Sequence, residues 1–223
     1  MSDIERLPSR LIDGFRRLST ANVSDALDRL KIRGGCEGIT PIIEGTRTVG
    51  SAFTVRYVPV GTVAKDVGDY VDLARPGDVI VIDNSGRMYC TVWGDLLTLV
   101  AVKKGIAGTV IDGVCRDIHR IKELRYPIFT RGRFIVTGKD RVQMDAANKP
   151  VSISNVQVKP GDLVVGDESG VVIVPQERAE EIFTIATEIS EKERQIENEV
   201  ESGSELREAR RKHGYHMLQR PRD

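Results

Sequence analysis

The sequence has few of the features that mark a secreted, membrane-bound or nucleic-acid-binding protein. Its three cysteines, Cys36, Cys90 and Cys115, lie far apart without C-x-x-C spacing, which argues against a zinc cluster and favours reduced thiols. Its 33 basic and 33 acidic residues balance, so the overall charge gives no reason to expect nucleic acid as a partner. No stretch reaches the roughly 18 apolar residues of a membrane span, and the N-terminus has no signal-like apolar run. We therefore expect a cytoplasmic protein with no membrane attachment.

Apolar strands alternate with a helix in the middle of the chain. RPGDVIVIDNSG (75–86) gives a turn and a near-continuous apolar run, a helix is predicted from Asp95 to Lys104, and GTVIDG (108–113) is a second apolar run. Strand, helix and strand in this order favour parallel pairing in a βαβ core. We predict an α/β fold in one domain, residues 1–223: a mixed, largely parallel central sheet with flanking helices, similar to swivelling α/β/α domains.

The C-terminal third differs in character. KPGDLVVGDESGVVIVP (159–175) predicts a hairpin at the edge of the sheet, and a long helix follows from about 176 to 201. The tail, 202–223, is basic and loses helical periodicity. This pattern favours a frayed or partner-docked terminus over a nucleic-acid-binding arm.

Charged residues follow both apolar runs of the βαβ core. Asp95 opens the helix, and after twenty intervening residues Arg116 and Asp117 close the second strand. Ligands of α/β sheets gather at the carboxyl ends of strands, so adjacent strands would place these residues in one crevice. Arg116 suits a carboxylate, Asp117 is a hard ligand for a divalent cation, and Asp95 could orient a water. The alternative is an ordinary helix cap at Asp95 and a surface ion pair at Arg116–Asp117.

This segment and its flanks resemble the family of RraA-like proteins and class II 4-hydroxy-4-methyl-2-oxoglutarate aldolases. That family carries an Asp, twenty residues and then Arg-Asp, matched here by Asp95, Arg116 and Asp117. Further resembling stretches between about 19 and 200 are ANVSDAL, GSAFTVR, PGDVIVID, WGDLL, GTVIDGVCRD, YPIFTRG and GDESGVVIVPQERAEEI.

The resemblance implies a role for each matched position. The 2-oxo-acid end of the substrate would be bound by Arg116 and by the backbone N–H groups of Gly94, Asp95, Leu96 and Leu97. Asp117 would be the direct protein ligand of Mg²⁺ or Mn²⁺, and Asp95 would hold the water that exchanges a proton with the pyruvate methyl carbon. The resemblance also implies a homotrimer or a dimer of trimers with active sites between subunits.

A second carboxylate is predicted from the C-terminal helix. Its apolar stripe runs Ile182, Ile185, Ile189, Ile196 and Val200, and Glu193 stands at helical register in the gap between Ile189 and Ile196. An acid in an apolar stripe is costly unless it is paired or near a metal, or the helix leaves the body there. In the resembling aldolases a glutamate in a similar Lys-Glu setting reaches the metal waters of a neighbouring subunit. Glu193 is the best match to it, with Glu191 as the alternative.

Three functions remain open from the sequence. The first is a metal-dependent lyase that releases pyruvate from 4-hydroxy-4-methyl-2-oxoglutarate, with oxaloacetate decarboxylation at the same site. The second is a non-catalytic regulator that binds a ribonuclease, because family members of that kind also exist. The aldolases tend to carry an acid three positions after Arg-Asp, where this chain has Arg120, which leaves the aldol substrate open. The third is a phosphohistidine swivelling domain, although His119 follows Arg-Asp instead of lying on a Gly-rich loop.

Overall fold

A mixed eight-stranded sheet forms the centre of the protein in a computed structural model that describes residues 4–62 and 67–218. The strands are β1 (Thr40–Pro41), β2 (Thr48–Pro59), β3 (Val79–Thr91), β4 (Gly108–Cys115), β5 (Ile128–Arg133), β6 (Val142–Ala147), β7 (Val151–Ile153), β8 (Val156–Val158), β9 (Leu163–Asp167) and β10 (Gly170–Val174). Their order is β1-β5-β4-β3-β2-β9-β10, with β6 also paired to β2 and with β7–β8 as a separate hairpin. Strands β2 to β5 pair in parallel and the remaining pairs are antiparallel. The predicted mixed, largely parallel sheet is confirmed.

Helices flank this sheet. They are α1 (Ser9–Phe15), α2 (Thr20–Arg29), α3 (Asp95–Lys104), α4 (Ile118–Glu123), α5 (Ala179–Glu201) and α6 (Leu206–Lys212), and short 3₁₀ turns occur at Tyr70–Leu73, Gln176–Arg178 and Tyr215–Met217. Helix α3 has the predicted bounds, because Gly94 precedes it and Gly105 ends it in the left-handed conformation at φ 69°.

The parallel centre is covered on both faces. All eight residues of β4 are buried, as expected for a strand between two layers. On one face, Ile80, Ile82 and Ile111 pack with Trp93 and with α3 and α4. On the other face, a second apolar cluster includes residues of the β7–β8 hairpin.

A third apolar cluster forms where α1, α2 and α5 pack against β9 and β10. The predicted edge hairpin is confirmed, since β9 and β10 pair antiparallel and β10 ends the strand order. Helix α2 begins with a capping box in which the Ser19 side chain accepts the Asn22 N–H. Helix α5 thus lies on a different cluster from α3 and α4.

The apolar stripe of α5 ends earlier than the sequence predicts. Ile182, Ile189 and Ile196 are buried, but Val200 is 39% exposed. The prediction is wrong for Val200 because α6 covers a different side of the helix end: Lys212 and His213 both contact Glu199, whose side chain lies about 100° around the helix from Val200.

The prediction of an irregular tail is also wrong for the part that the structure describes. Residues Leu206–Lys212 form α6, Ala209 is buried, and Leu218 is buried against the cluster of α1, α2 and α5. The backbone carbonyl of Leu218 accepts the Arg29 Nε–H at 2.6 Å. Two short helical turns with a single buried alanine are too brief to show a period in the sequence. Residues 219–223 of the predicted tail lie outside the described residues.

The three cysteines are buried and form no disulfide. Among the described helices, none is both long enough and apolar enough to span a membrane.

Candidate active site

The two predicted loops meet because β3 and β4 are neighbours. Parallel pairing places the carboxyl ends of both strands at one edge of the sheet, where β3 leads into α3 and β4 leads into α4. The Asp95 backbone N–H donates to Asp117 Oδ2 at 3.1 Å. Arg116 Nε lies 3.4 Å from the same oxygen. The structure therefore brings Asp95, Arg116 and Asp117 together, as the spacing predicts.

Gly94 permits this contact by its lack of a side chain. A Cβ added to Gly94 would lie only 2.6 Å from Asp117 Oδ2, a distance that a real Cβ does not tolerate. Its φ of −154° is extended backbone that any residue adopts. The requirement for glycine at this position is therefore one of space.

Asp117 has an unusual backbone. Its φ of 57° and ψ of 42° are left-handed, a conformation that aspartate tolerates better than most residues. Its carbonyl oxygen accepts the N–H groups of Arg120 and Ile121 at 3.0 and 3.2 Å, which starts α4. The turn after β4 therefore sends the chain into α4 while the carboxylate reaches back to α3.

The start of α3 is partly occupied by the protein itself. Leu96 N–H donates to Asp95 Oδ1 at 2.8 Å, and Asp95 N–H is held by Asp117. The family resemblance assigns the backbone N–H groups of residues 94–97 to substrate binding, and two of these four therefore have partners within the chain. The Leu96 side chain is 74% exposed, so this helix end faces outward.

A buried hydrogen-bond network supports the site, and the sequence alone did not reveal it. Trp93 Nε1–H donates to Thr98 Oγ1 at 2.8 Å, and Thr98 Oγ1–H donates to the Gly94 carbonyl at 2.8 Å. The Trp93 carbonyl accepts the Arg116 N–H at 3.1 Å. Trp93 thus connects both halves of the site, through its indole to Gly94 and through its backbone to Arg116.

Trp93 is itself held by stacking. Its ring lies parallel to that of Tyr126, with centroids 5.8 Å apart and planes 4° apart, and both side chains are buried. The signal in the sequence was a single tryptophan directly before Gly94. Its partners could not be read from the sequence, because they depend on how α3 and β5 pack.

The donor atoms fit one hard cation with a mostly aqueous shell. Within 4–62 and 67–218, no group of three or more His, Cys, Asp or Glu side chains is arranged to hold a metal ion. Asp117 uses Oδ2 for its contacts with Asp95 and Arg116, and Oδ1 has no partner within those residues. Mg²⁺ commonly binds through one or two carboxylates and retains several waters. The carboxylate of Asp117 fits that mode of binding.

Two kinds of covalent catalysis receive no support from this site. Burial raises the pKa of the Cys115 thiol to about 12, so this neighbour of Arg116 is a neutral thiol rather than a nucleophile. Lys103 and Lys104 lie in the last turn of α3, roughly 13 Å from Asp95 at 1.5 Å per residue, and Lys104 donates to the Asp72 carbonyl. A Schiff-base lysine is thus not placed at this end of the helix.

Glu193 lies elsewhere in the chain. Its Oε2 accepts the Asn22 Nδ2–H of α2 at 2.6 Å, and its side chain is half-buried. In the described part of the chain, no hydrogen bond or ion pair connects Glu193 with Asp95, Arg116 or Asp117. Glu191 is exposed on the same helix. The assignment of Glu193 to the metal waters of a neighbouring subunit stays a prediction.

The chain is similar to known proteins in both sequence and structure. A family model described as RraA-like, Aldolase/RraA, matches residues 20–173. A protein of Halalkalibacterium halodurans named "Putative 4-hydroxy-4-methyl-2-oxoglutarate aldolase" is 39% identical over 172 residues, which are 77% of this chain and 80% of that protein. Protein DlpA of Legionella pneumophila is 38% identical over 208 residues, 92% of this chain, and the chain spans only about a third of that protein (34%).

Two solved structures share the fold. An uncharacterized protein of Pseudomonas syringae pv. tomato superposes with a TM-score of 0.87 at 46% identity, covering 92% of this chain and 99% of that one. RraAS2 of Streptomyces coelicolor, described as an unusual member of the RNase ES inhibitor RraA protein family, superposes with a TM-score of 0.79 at 32% identity, covering 86% and 98%.

Proposed function

Since the chain belongs to the RraA-like family, in which similar proteins carry aldolase names, we propose that it is a divalent-metal-dependent lyase. It cleaves 2-oxo acids of the 4-hydroxy-4-methyl-2-oxoglutarate type to pyruvate and also decarboxylates oxaloacetate. The observation that carries the proposal is the meeting of Asp95, Arg116 and Asp117 at the start of α3.

Arg116 and the start of α3 bind the oxyacid end of the substrate. The guanidinium offers a planar pair of donors that matches a carboxylate. The N-terminus of a ten-residue helix adds backbone N–H groups and a positive dipole end. Both donors are fixed in position, so they also stabilise the negative charge that develops on the enolate oxygen during cleavage.

Asp95 changes partner when the substrate binds. Asp95 Oδ1 accepts the Leu96 N–H, in the position that a substrate carboxylate would take. An incoming carboxylate displaces it, and the freed Asp95 side chain then holds the water that exchanges a proton with the methyl carbon of pyruvate. One exposed acid thereby occupies the anion site before binding and assists the proton transfer after it.

Asp117 would hold the metal, while its contacts through Oδ2 keep the carboxylate oriented. When bound there, Mg²⁺ or Mn²⁺ would supply a Lewis acid that withdraws electrons from the 2-oxo group. Glu193 of a neighbouring subunit would accept hydrogen bonds from the metal's waters. The family resemblance implies that the active form is a homotrimer or a dimer of trimers.

The two substrates require the same chemistry. Retro-aldol cleavage of 4-hydroxy-4-methyl-2-oxoglutarate and decarboxylation of oxaloacetate both release the enolate of pyruvate. Arg120, at the position where the aldolases tend to carry an acid, forms an ion pair with Glu123 at 2.7 Å. Its charge is therefore compensated within α4 and does not oppose a cation at Asp117.

The test is pyruvate release coupled to lactate dehydrogenase, with both substrates, after EDTA treatment and after metal addition. We expect activity that EDTA abolishes and that Mg²⁺ or Mn²⁺ restores. Absence of pyruvate release from both substrates in the metal-loaded protein would reject the lyase.

A non-catalytic ribonuclease regulator is the alternative, supported by the likeness to a member of the RNase ES inhibitor RraA family. It predicts dose-dependent inhibition of an RNase E-type endonuclease that Asp117→Asn leaves unchanged, because that substitution alters only the proposed metal ligand.

A further inference from the structure

A row of three charged side chains crosses the sheet away from the proposed active site. Asp83 on β3 and Asp112 on β4 are direct partners in the parallel pair, and Arg131 on β5 donates Nε–H to Asp112 Oδ1. They follow Val81, Val110 and Phe129 of the cluster that the β7–β8 hairpin covers. Three adjacent strands therefore present Asp, Asp and Arg on the face that this hairpin covers.

The β7–β8 hairpin closes one side of this row. Ser152 N–H donates to Asp83 Oδ2 at 3.2 Å, and Ser154 N–H donates to Asp112 Oδ2 at 3.0 Å. Ser154 Oγ–H donates to the Glu37 carbonyl at 2.6 Å. The hairpin is thus anchored at its turn, and its position beside the row of charged side chains is fixed.

The charges of the row do not balance. Asp112 is paired with Arg131, but Asp83 forms no ion pair with any residue in the described ranges. Asp83 is only 8% exposed, and its closest donors, the N–H groups of Ser85 and Ser152, are neutral. A carboxylate that is buried without a cation is costly. A positively charged group in the space beside Asp83 would offset that cost.

A cavity of about 310 Å³ opens beside Asp83, Asp112 and Arg131. Its remaining lining is polar and includes Ser85 and Ser152. This volume is more than a single ion needs. A polar ligand of several heavy atoms therefore fits this space.

Arg131 adds a second requirement. Its Nε is used by Asp112, while Nη1 and Nη2 have no hydrogen-bond partner in 4–62 or 67–218, and the side chain is 28% exposed. Free guanidinium nitrogens at the edge of a cavity suit a carboxylate. The cavity therefore offers a site for a cation at Asp83 and a site for an anion at Arg131.

We propose that this cavity binds a small zwitterion, a free α-amino acid, with its ammonium group on Asp83 and its carboxylate on Arg131. The site is separate from the proposed active site, because Asp112 on β4 lies four residues before Arg116, which follows the strand, and four extended residues span about 13 Å. It does not depend on the proposed lyase activity.

The test is a titration of the full-length protein with the twenty amino acids, by calorimetry and by thermal shift. Propionate and ethylamine serve as half-ligands that carry only one of the two charges. We expect at least one amino acid to bind once per chain with a Kd below about 1 mM, and both half-ligands to bind at least tenfold more weakly. Absence of binding by all twenty, or equal binding of a half-ligand, would overturn the proposal.

Asp83→Asn is the variant that isolates the cation site. It keeps the shape but only one acceptor oxygen, whereas Asp83 Oδ1 and Oδ2 each accept a backbone N–H. We therefore expect amino-acid binding to be lost and the Tm of the free protein to fall by no more than a few degrees. Asp145→Asn, which removes an exposed partner of Arg56, is the matched control and should bind normally. Amino-acid binding by Asp83→Asn at the wild-type Kd would show that the charge of Asp83 takes no part in binding. A change of oligomeric state on light scattering would show that a second copy supplies the cation. Either result would reject the ligand site.

Discussion

Asp117 reaches the start of α3 because its own backbone is left-handed, at φ 57°. A left-handed conformation costs most residues about 1–2 kcal/mol, and asparagine and aspartate bear it best. The carboxylate thereby comes within reach of the Asp95 N–H and of Arg116. The same residue thus sets the turn into α4 and supplies the proposed metal ligand, and substitutions must separate these two roles.

Asp117→Asn separates the structural role of Asp117 in the turn from its proposed role as metal ligand. Asparagine keeps the left-handed backbone and the side-chain shape but is a much poorer ligand for a hard cation. We expect a Tm within a few degrees of wild type and loss of at least about 10²-fold in metal-stimulated kcat. Both are measured on one preparation, by thermal unfolding and by the coupled pyruvate assay. Wild-type turnover with normal metal dependence in this variant would show that Asp117 is not the ligand.

Gly94→Ala tests the close approach at the site. The added Cβ would lie 2.6 Å from Asp117 Oδ2, so the carboxylate must move although the backbone of residue 94 is unstrained. A shift of about 1 Å in a positioned group can reduce the rate about 10²-fold, and we expect a loss of that order.

The control is Gly35→Ala, where an added Cβ meets no atom within 4 Å. It should retain wild-type activity and stability. Equal activity of Gly94→Ala and Gly35→Ala would mean that the proximity of Gly94 to Asp117 has no part in catalysis.

At the scale of elements, the start of α3 is held from inside the core. Thr98 accepts the indole N–H of Trp93 and donates to the Gly94 carbonyl, and it is fully buried. A hydroxyl that both accepts and donates in this way cannot be replaced by a methyl group without leaving the indole N–H unpaired.

Thr98→Val should therefore affect stability and activity together. The unpaired Trp93 N–H should lower the free energy of unfolding by about 1–3 kcal/mol. Movement of Gly94 and Arg116 should lower kcat/KM by about tenfold, which corresponds to about 1.4 kcal/mol of transition-state stabilisation. Thr98→Ser restores the hydroxyl and should recover both. Trp93 is the single tryptophan, so its fluorescence reports the change directly.

Thr54→Val is the matched control for Thr98→Val. Thr54 is also fully buried, and its hydroxyl donates to the Lys149 carbonyl at 2.7 Å. Thr54→Val should have a lower free energy of unfolding and an unchanged kcat/KM. If Thr98→Val loses stability but retains wild-type kcat/KM and tryptophan fluorescence, the network is structural and does not position the site.

The elements that the sequence predicts well are those with local signals. Gly94 and Gly105 delimit α3, and the apolar run before Arg116 indicates β4. The contact of Asp95 with Asp117 followed from one further assumption, that β3 and β4 are neighbours. Contacts that depend on register were missed: the pairing of Asp83 with Asp112 requires knowing which residues of β3 and β4 face each other. The helix α6 was missed because its short length shows no period.

At the scale of the whole molecule, the fold separates Glu193 from the metal ligand that it is predicted to assist. Helix α5 packs with α1 and α2 on β9 and β10, while α3 and α4 pack on the parallel centre. Glu193 also lies beyond residues 20–173, which the family model matches. A direct role for Glu193 at Asp117 therefore requires a second copy of the chain. The contact with Asn22 in the same chain would then orient the carboxylate.

Mixed oligomers of two inactive variants test this arrangement. Glu193→Gln keeps an oxygen for Asn22 and so should fold normally, but it loses the charge that would act on the metal's waters. Asp117→Asn loses the proposed metal ligand. Each variant alone should be nearly inactive. A site is complete when one chain supplies an intact Asp117 and its neighbour an intact Glu193. In a closed symmetric trimer that contains both variants, one site in three is complete, so about a third of wild-type activity should return. A site within one chain cannot recover, since every chain carries one lesion.

Co-expression of the two variants with different tags, followed by tandem purification and the pyruvate assay, gives the measurement. Inactive mixed oligomers of verified composition would place Glu193 outside a shared site, and full activity of Glu193→Gln alone would make it an ordinary partner of Asn22.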